Sequence, residues 1–188
     1  MKPKVMIDPG HGGHDPGAVN DTVGIQEKDI NLTAGLYCRR HLLHTVGDHI
    51  VPLLTRKEDK FLYLNERCEK AKEFEVDSFV SLHVNSWEEP HVQGFEVYYF
   101  NKKAKKLAET IHEWLSISLP GHTDRGVKKM GYYVLRHSVP EAVLVEYEFI
   151  SNPAQATWLS NIENQKRYGV IVSDALRDYY LCQDGEDG

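Results

Sequence analysis

Apolar positions along the chain follow two periods. Short runs rich in β-branched and aromatic side chains stand at residues 4–8 (KVMID), 49–55 (HIVPLLT), 78–83 (SFVSLH), 94–100 (GFEVYYF), 132–136 (YYVLR) and 142–147 (AVLVEY), and each predicts a strand. Between them, apolar residues recur at three- and four-residue intervals over 27–45, 63–74, 102–119 and 164–181, which predicts helices. In the first of these Ile30, Ala34, Tyr37, Cys38, His41 and Leu42 share one face. Alternating strands and helices predict an α/β fold with a central sheet of about six strands, mostly parallel or mixed, flanked by helices on both faces. No internal repeat interrupts the pattern, so one domain is expected over residues 1–181, with 182–188 an acidic tail or the start of a linker.

Composition narrows the function classes. At 188 residues the chain is long enough to bury a core without help from a metal or a disulfide. Its 22 basic and 28 acidic residues leave a formal net charge of −6, which argues against nucleic acid, whose phosphates require a basic face. Cys38, Cys68 and Cys182 are odd in number, widely spaced and without a C-x-x-C pair, and read as free thiols. The opening MKPKVMIDPG lacks the apolar run of a secretory signal, and no segment approaches the roughly 18 apolar residues of a membrane span. A monomer made in the cytoplasm is expected.

The densest chemistry lies in MIDPGHGGHDPGAV, residues 6–19, directly after the first predicted strand, where α/β sheets carry their ligand-binding loops. A phosphate cradle is a poor fit, since neither glycine-rich nucleotide motif is matched and the stretch has no lysine. His11 stands between glycines that let another group approach the backbone, and alone it reads either as a solvated loop side chain or as a ligand. Glu27 opens the first long helix, where the helix dipole favours an acid of any role. His83 ends a strand apolar enough to be central, and is a core histidine or a ligand; the polar Asn85 and Ser86 that follow show the chain leaving the core. If the strands before His11 and at His83 run parallel, both imidazoles reach one edge of the sheet. With Glu27 they would make a three-ligand zinc site with an open position.

Hydrolysis at such a site needs a proton carrier that is not a ligand. Glu146, ending AVLVEY, is that carrier or a structural carboxylate paired with Arg125 or Arg136. Glu148 competes with it, because a continuing strand would point it to the same face.

In order, these residues resemble the zinc-dependent N-acetylmuramoyl-L-alanine amidases of the amidase-3 family, found in bacterial autolysins and phage endolysins. The likeness runs from residue 5 to about residue 180. IDPGHGGHDPGA is similar to the family's first signature, EKDINL to its glutamate-ligand segment, and FVSLHVNS to its S-x-H-x-N segment. LTRKED and YLNER resemble T-R-x-x-D and L-x-x-R, while GFEVYYF, DRGVKK, YYVLR and AVLVEYEFISN follow in family order. The resemblance implies one zinc ion on His11, Glu27 and His83, with Glu146 as the catalytic acid and base. It also implies peptidoglycan as substrate, cut at the amide between the lactyl group of N-acetylmuramic acid and L-alanine.

The chain departs from the family in Glu148, where glycine is usual, and in Lys72, where asparagine is frequent and packing rather than chemistry is expected to change. His14 and Asp15 are left as ordinary loop residues, with the surrounding glycines as room for metal and substrate. The competing functions are another zinc amide hydrolase, either a stem-peptide peptidase or a sugar deacetylase, and a non-catalytic wall-binding module. The expected setting is a phage endolysin or an excised domain of a secreted autolysin, with room for a wall-binding domain after Gly188.

Overall fold

The computed structural model describes residues 1–181; the acidic tail expected at 182–188, and Cys182 with it, lies outside the described residues. Six strands form the main sheet: β1 (Lys4–Pro9), β4 (Val51–Leu54), β5 (Ser78–Asn85), β6 (Phe95–Tyr99), β7 (Asp124–Lys129) and β8 (Ala142–Phe149). Two short strands, β2 (Val19–Asn20) and β3 (Ile25–Gln26), pair as a separate antiparallel ribbon. The helices are α1 (Glu27–Val46), α2 (Leu64–Glu73), α3 (Lys105–Ser118), α4 (Tyr133–His137), α5 (Pro153–Ser160) and α6 (Ile162–Leu181).

The sheet order is β4-β1-β5-β8-β6-β7. β4, β1, β5 and β8 run parallel, while β6 pairs antiparallel with β8 and parallel with β7. The sheet is therefore mixed, as expected, and β5 is central. Strand residues alternate between two apolar layers. Val5, Ile7, Val80, Leu82, Val143 and Val145 pack against α1, α3 and α6; Met6, Phe79, Ala142 and Leu144 pack against α2 and α4. α1 buries Ile30, Ala34, Cys38 and Leu42 as the periodicity predicts, while Tyr37 and His41 are half-buried on its flank. The α1–α6 crossing is close because Gly169 carries no side chain: a Cβ there would lie 2.2 Å from the Ala34 carbonyl oxygen. No helix among the described residues is long and apolar enough to cross a membrane.

One local reading is corrected, and two elements are added to those the pattern predicts. YYVLR is not a strand but the start of α4. Its buried residues Val134, Leu135 and Ser138 lie on one helical turn, where a strand would have buried alternate positions. β7, DRGVKK, escapes a pattern search because it is an edge strand with a single apolar residue, Val127. α5 was announced only by its cap: Asn152 accepts hydrogen bonds from the backbone of Ala154 and Gln155, and Pro153 occupies the first turn.

Candidate metal centre

Since β1 and β5 run parallel, both end at the same edge of the sheet, with Pro9 registered against Leu82 and the Gly10 amide bonded to the Leu82 carbonyl. His83 sits in β5 directly beside Glu146 of β8. His11 lies two residues past β1. Glu27 reaches them from α1, whose start is turned inward by the β2–β3 ribbon and by the Glu27 amide donating to the Ala18 carbonyl.

One ligand-type atom from each of His11, Glu27 and His83 lies within 4.8 Å of the others, the one such cluster among the described residues. Glu27 Oε1 is 2.9 Å from His83 Nδ1 and Oε2 is 3.2 Å from His11 Nε2. The backbone amides of Ala18 and Val84 and the Asn31 amide also donate to this carboxylate, so the buried Glu27 is fully oriented. Burial alone would raise its pKa, but the hydrogen bonds and charge of His11 and His83 outweigh that and hold it well below the usual carboxylate range. Two imidazoles and an ionised carboxylate are the donor set of an open zinc site, and no fourth donor among the described residues joins the cluster.

Asp15, read from sequence as a loop residue, belongs to this site. Its Oδ2 lies 2.8 Å from His11 Nδ1, and the bond to His11 holds its pKa below the usual value against the opposing effect of burial. The ionised Asp15 accepts from Nδ1, which would leave Nε2 as the nitrogen able to exchange its contact with Glu27 for a metal ion. The same contacts with Glu27 and Asp15 raise the His11 pKa, although burial opposes them. The Gly12–Asp15 backbone bridge makes the turn that brings Asp15 back.

Two arginines outside the loop fix its course. Arg56 donates to the carbonyls of Pro9 (2.9 Å) and Gly10 (2.9 Å), and Arg67 to those of Pro9 (2.8 Å) and His11 (2.7 Å). Arg67 also forms a buried ion pair with Asp8 at 2.7 Å, and Thr55 and Ser81 hydroxyls complete the Asp8 shell. His11 itself has φ of 59°, a left-handed conformation that costs a non-glycine residue energy and needs such support. These contacts explain the T-R and L-x-x-R segments.

The glycines also make room for the clustered side chains themselves. A Cβ on Gly10 would lie 2.3 Å from the His83 ring, and one on Gly17 would lie 2.5 Å from Glu27 Oε2 and 2.7 Å from His11. His14 contacts the Phe61 ring instead of the cluster.

Glu146 faces a cleft of about 460 Å³ lined also by His11, His83, Asp15, Phe61, Tyr63, Tyr132 and Tyr133. The residue is partly exposed, yet its Oε2 is buried and has no hydrogen-bond partner among the described residues. Burial, with the carboxylates of Glu27 and Glu96, pushes its pKa well above the ordinary range. Neither Arg125 nor Arg136 pairs with it: Arg125 binds Glu96, and Arg136 is exposed.

Glu148 does not share that face. Between the His83–Glu146 and Asn85–Phe149 pairs β8 carries one extra residue, a bulge that breaks the alternation. Glu148 is fully buried, 2.7 Å from His122 Nδ1 and accepting from the Gly94 amide, and it does not line the cleft. Lys72 is exposed on α2, away from the packing role expected of it.

The amidase-3 family model, N-acetylmuramoyl-L-alanine amidase, matches residues 5–178. The chain is 34% identical over 180 residues to N-acetylmuramoyl-L-alanine amidase LytC of Bacillus subtilis, a match that takes in 94% of this chain but only 35% of LytC. Among solved structures, the catalytic domain of CwlV, an N-acetylmuramoyl-L-alanine amidase from Bacillus (Paenibacillus) polymyxa, superposes with TM-score 0.88 at 32% identity, covering 95% of this chain and 98% of that one. AmiC2 of Nostoc punctiforme, another N-acetylmuramoyl-L-alanine amidase, gives TM-score 0.89 at 33% identity over 95% and 97% of the two chains. With the family pattern matched across nearly its whole length and the fold shared with both structures, this chain belongs to the N-acetylmuramoyl-L-alanine amidase family.

Proposed function

We propose that the chain hydrolyses the amide between the lactyl group of N-acetylmuramic acid and L-alanine in peptidoglycan, with one zinc ion held by His11, Glu27 and His83. The observation that carries this reading is the pairing of an open His-Glu-His donor set with a buried carboxyl oxygen, Glu146 Oε2, that has no partner of its own. Bound zinc would supply Lewis acidity toward the amide carbonyl and the attacking water.

The rest falls to side chains. Glu146 takes a proton from the attacking water and passes it to the leaving alanine nitrogen; a carboxyl with a raised pKa can hold that proton between the two transfers. Asp15 keeps the His11 proton on Nδ1, so the metal-facing nitrogen stays a donor. The wall is the site of action on this reading.

Digestion of purified peptidoglycan, followed by mass spectrometry, tests it. Peptides with free N-terminal alanine and intact glycan strands are expected, chelator should stop their release, and Glu146→Ala should lower turnover by about a thousandfold or more while zinc content is unchanged. Cuts inside the stem peptide, loss of acetyl groups, or binding to walls without any released amine would each replace the amidase reading.

A further inference from the structure

Across the sheet from Glu146 lies a charged group that the hydrolytic chemistry leaves unused. Glu96 of β6 is registered directly against Glu146 and is buried on the same face. Its Oε1 accepts from the Asn85 amide at 2.8 Å, and its Oε2 accepts from Arg125 Nε at 3.2 Å and from Lys128 Nζ. Both cations come from the edge strand β7, and each keeps part of its side chain in solvent, 32% for Arg125 and 40% for Lys128. One carboxylate thus meets two cations, a local surplus of positive charge in a chain whose net charge is −6.

The geometry of Arg125 separates it from an ordinary surface arginine. Its guanidinium is anchored through Nε alone and lies over the Phe149 ring, 4.9 Å from the centroid. Neither Nη group has a hydrogen-bond partner among the described residues. A guanidinium fixed at Nε and stacked on a ring presents its remaining donors as a pre-oriented fork, the arrangement that takes a carboxylate in two parallel bonds.

Distance points to which carboxylate. β8, β6 and β7 are neighbours, so at a strand spacing of about 4.8 Å the β7 backbone stands about 10 Å from that of Glu146, and its cations reach back toward it as far as Glu96. An extended peptide advances about 3.4 Å per residue, which brings an acidic group on the second residue, with its own reach, to that point.

Resting on the amidase reading, we propose that Arg125, assisted by Lys128, is a specificity-determining site for a free carboxylate on the peptide residue that follows the alanine of the scissile amide. The same peptide with that group converted to a carboxamide is discriminated against, since it offers the fork no charge and only one acceptor.

Two soluble probes decide it: L-alanyl-D-isoglutamyl methylamide with its α-carboxylate free, and the α-carboxamide of the same compound, each titrated calorimetrically into zinc-loaded protein. The wild type should bind the acid about tenfold more tightly than the amide, and Arg125→Gln should reduce that ratio to near one. Lys128→Gln should reduce it about threefold. Loss of a merely structural Arg125–Glu96 contact would weaken both probes alike and leave the ratio unmoved. Equal binding of the two probes by wild type, or a tenfold preference that survives Arg125→Gln, overturns the proposal. Because the ratio is read from binding, it stands or falls separately from the release of N-terminal alanine, on which the amidase reading depends.

Discussion

His11 and His83 converge on one carboxylate, yet the chain holds them by opposite means. His83 lies within β5, its backbone fixed by ladders to β1 and β8, and its neighbours need only leave room for it, as Gly10 does. His11 stands past the end of β1 with a left-handed backbone, and side chains from elsewhere hold it: Arg56 and Arg67 on the loop carbonyls, Asp15 on the ring. A strand orients a ligand through backbone hydrogen bonds that almost any sequence can make, whereas a loop needs particular residues for the same task. The His11 arm should therefore be breakable at a distance, and the His83 arm only at the histidine or at the glycine that leaves room for its ring.

The largest effect is expected from Arg67→Met. That change leaves the buried Asp8 without its counter-ion and removes donors from the carbonyls of Leu62, Pro9 and His11. Breaking a buried pair from one side costs about 3–5 kcal/mol, or about 10 °C in Tm for a chain of this size. Zinc affinity should fall as well, because His11 loses its seat. His83→Ala supplies the contrast: zinc binding is lost, while the metal-free melting temperature drops by only a few degrees, since the ladders of β5 remain. Thermal melts of both variants without metal, beside zinc titrations, make the comparison; equal melting temperatures for the two would refute the division of labour.

Asp15→Asn should act on the metal alone. Asp15 is 39% exposed at its side chain, so its contribution to stability is small, but it sets the proton position on His11. Partners of this kind are worth about 10–100-fold in metal affinity. Competition with a chromophoric zinc chelator should show that loss with the metal-free Tm unchanged to within about 1 °C. An unaltered affinity would mean that the His11 tautomer needs no partner.

The same contrast explains what could be read from residues alone. β1, β5 and β8 declare themselves as apolar runs, and the polar residues after His83 place it at a strand end, so the cluster residues carried by regular elements are legible. Glu27 is legible as an acid in a first helical turn, and becomes a candidate ligand only in company with the histidines. Asp15 was discarded because its role depends on a backbone bridge to Gly12 that closes a tight turn. The arginine strap shows in the sequence only as the T-R and L-x-x-R segments and not by its role, because Arg56 and Arg67 act on backbone carbonyls, which carry no sequence signature, from positions far along the chain. Glu148 was misplaced by a single inserted residue, because strand alternation holds only while the register does. β7 shows the converse, an edge strand held mainly by its pairing to β6, with little apolar pattern to reveal it.

The smallest effect is confined to acid and again singles out the His11 arm. Burial pushes the Asp8 pKa up, but the Arg67 charge and the hydrogen bonds from Thr55, Arg67 and Ser81 outweigh it and set the value below the ordinary 3.8. A carboxyl whose folded pKa is depressed stabilises the protein fully above its unfolded value, and that stabilisation is lost as pH falls through the folded value. The loss from one such group has a slope of at most about 1.4 kcal/mol per pH unit. Other carboxylates titrate in the same range, Glu27 and Asp15 among them, so the wild-type curve by itself does not isolate Asp8. Asp8→Asn does. The difference in unfolding free energy between wild type and this variant, measured without metal, should be flat above about pH 5 and shrink steadily below 3.8. A difference that stays constant down to about pH 3 would mean that the Asp8 pKa is the same in the folded and unfolded chain, and that the Arg67 pair does not shift it. A difference that widened in acid would reverse the sign of the shift, and with it the view that a charged Asp8 anchors the strap on His11.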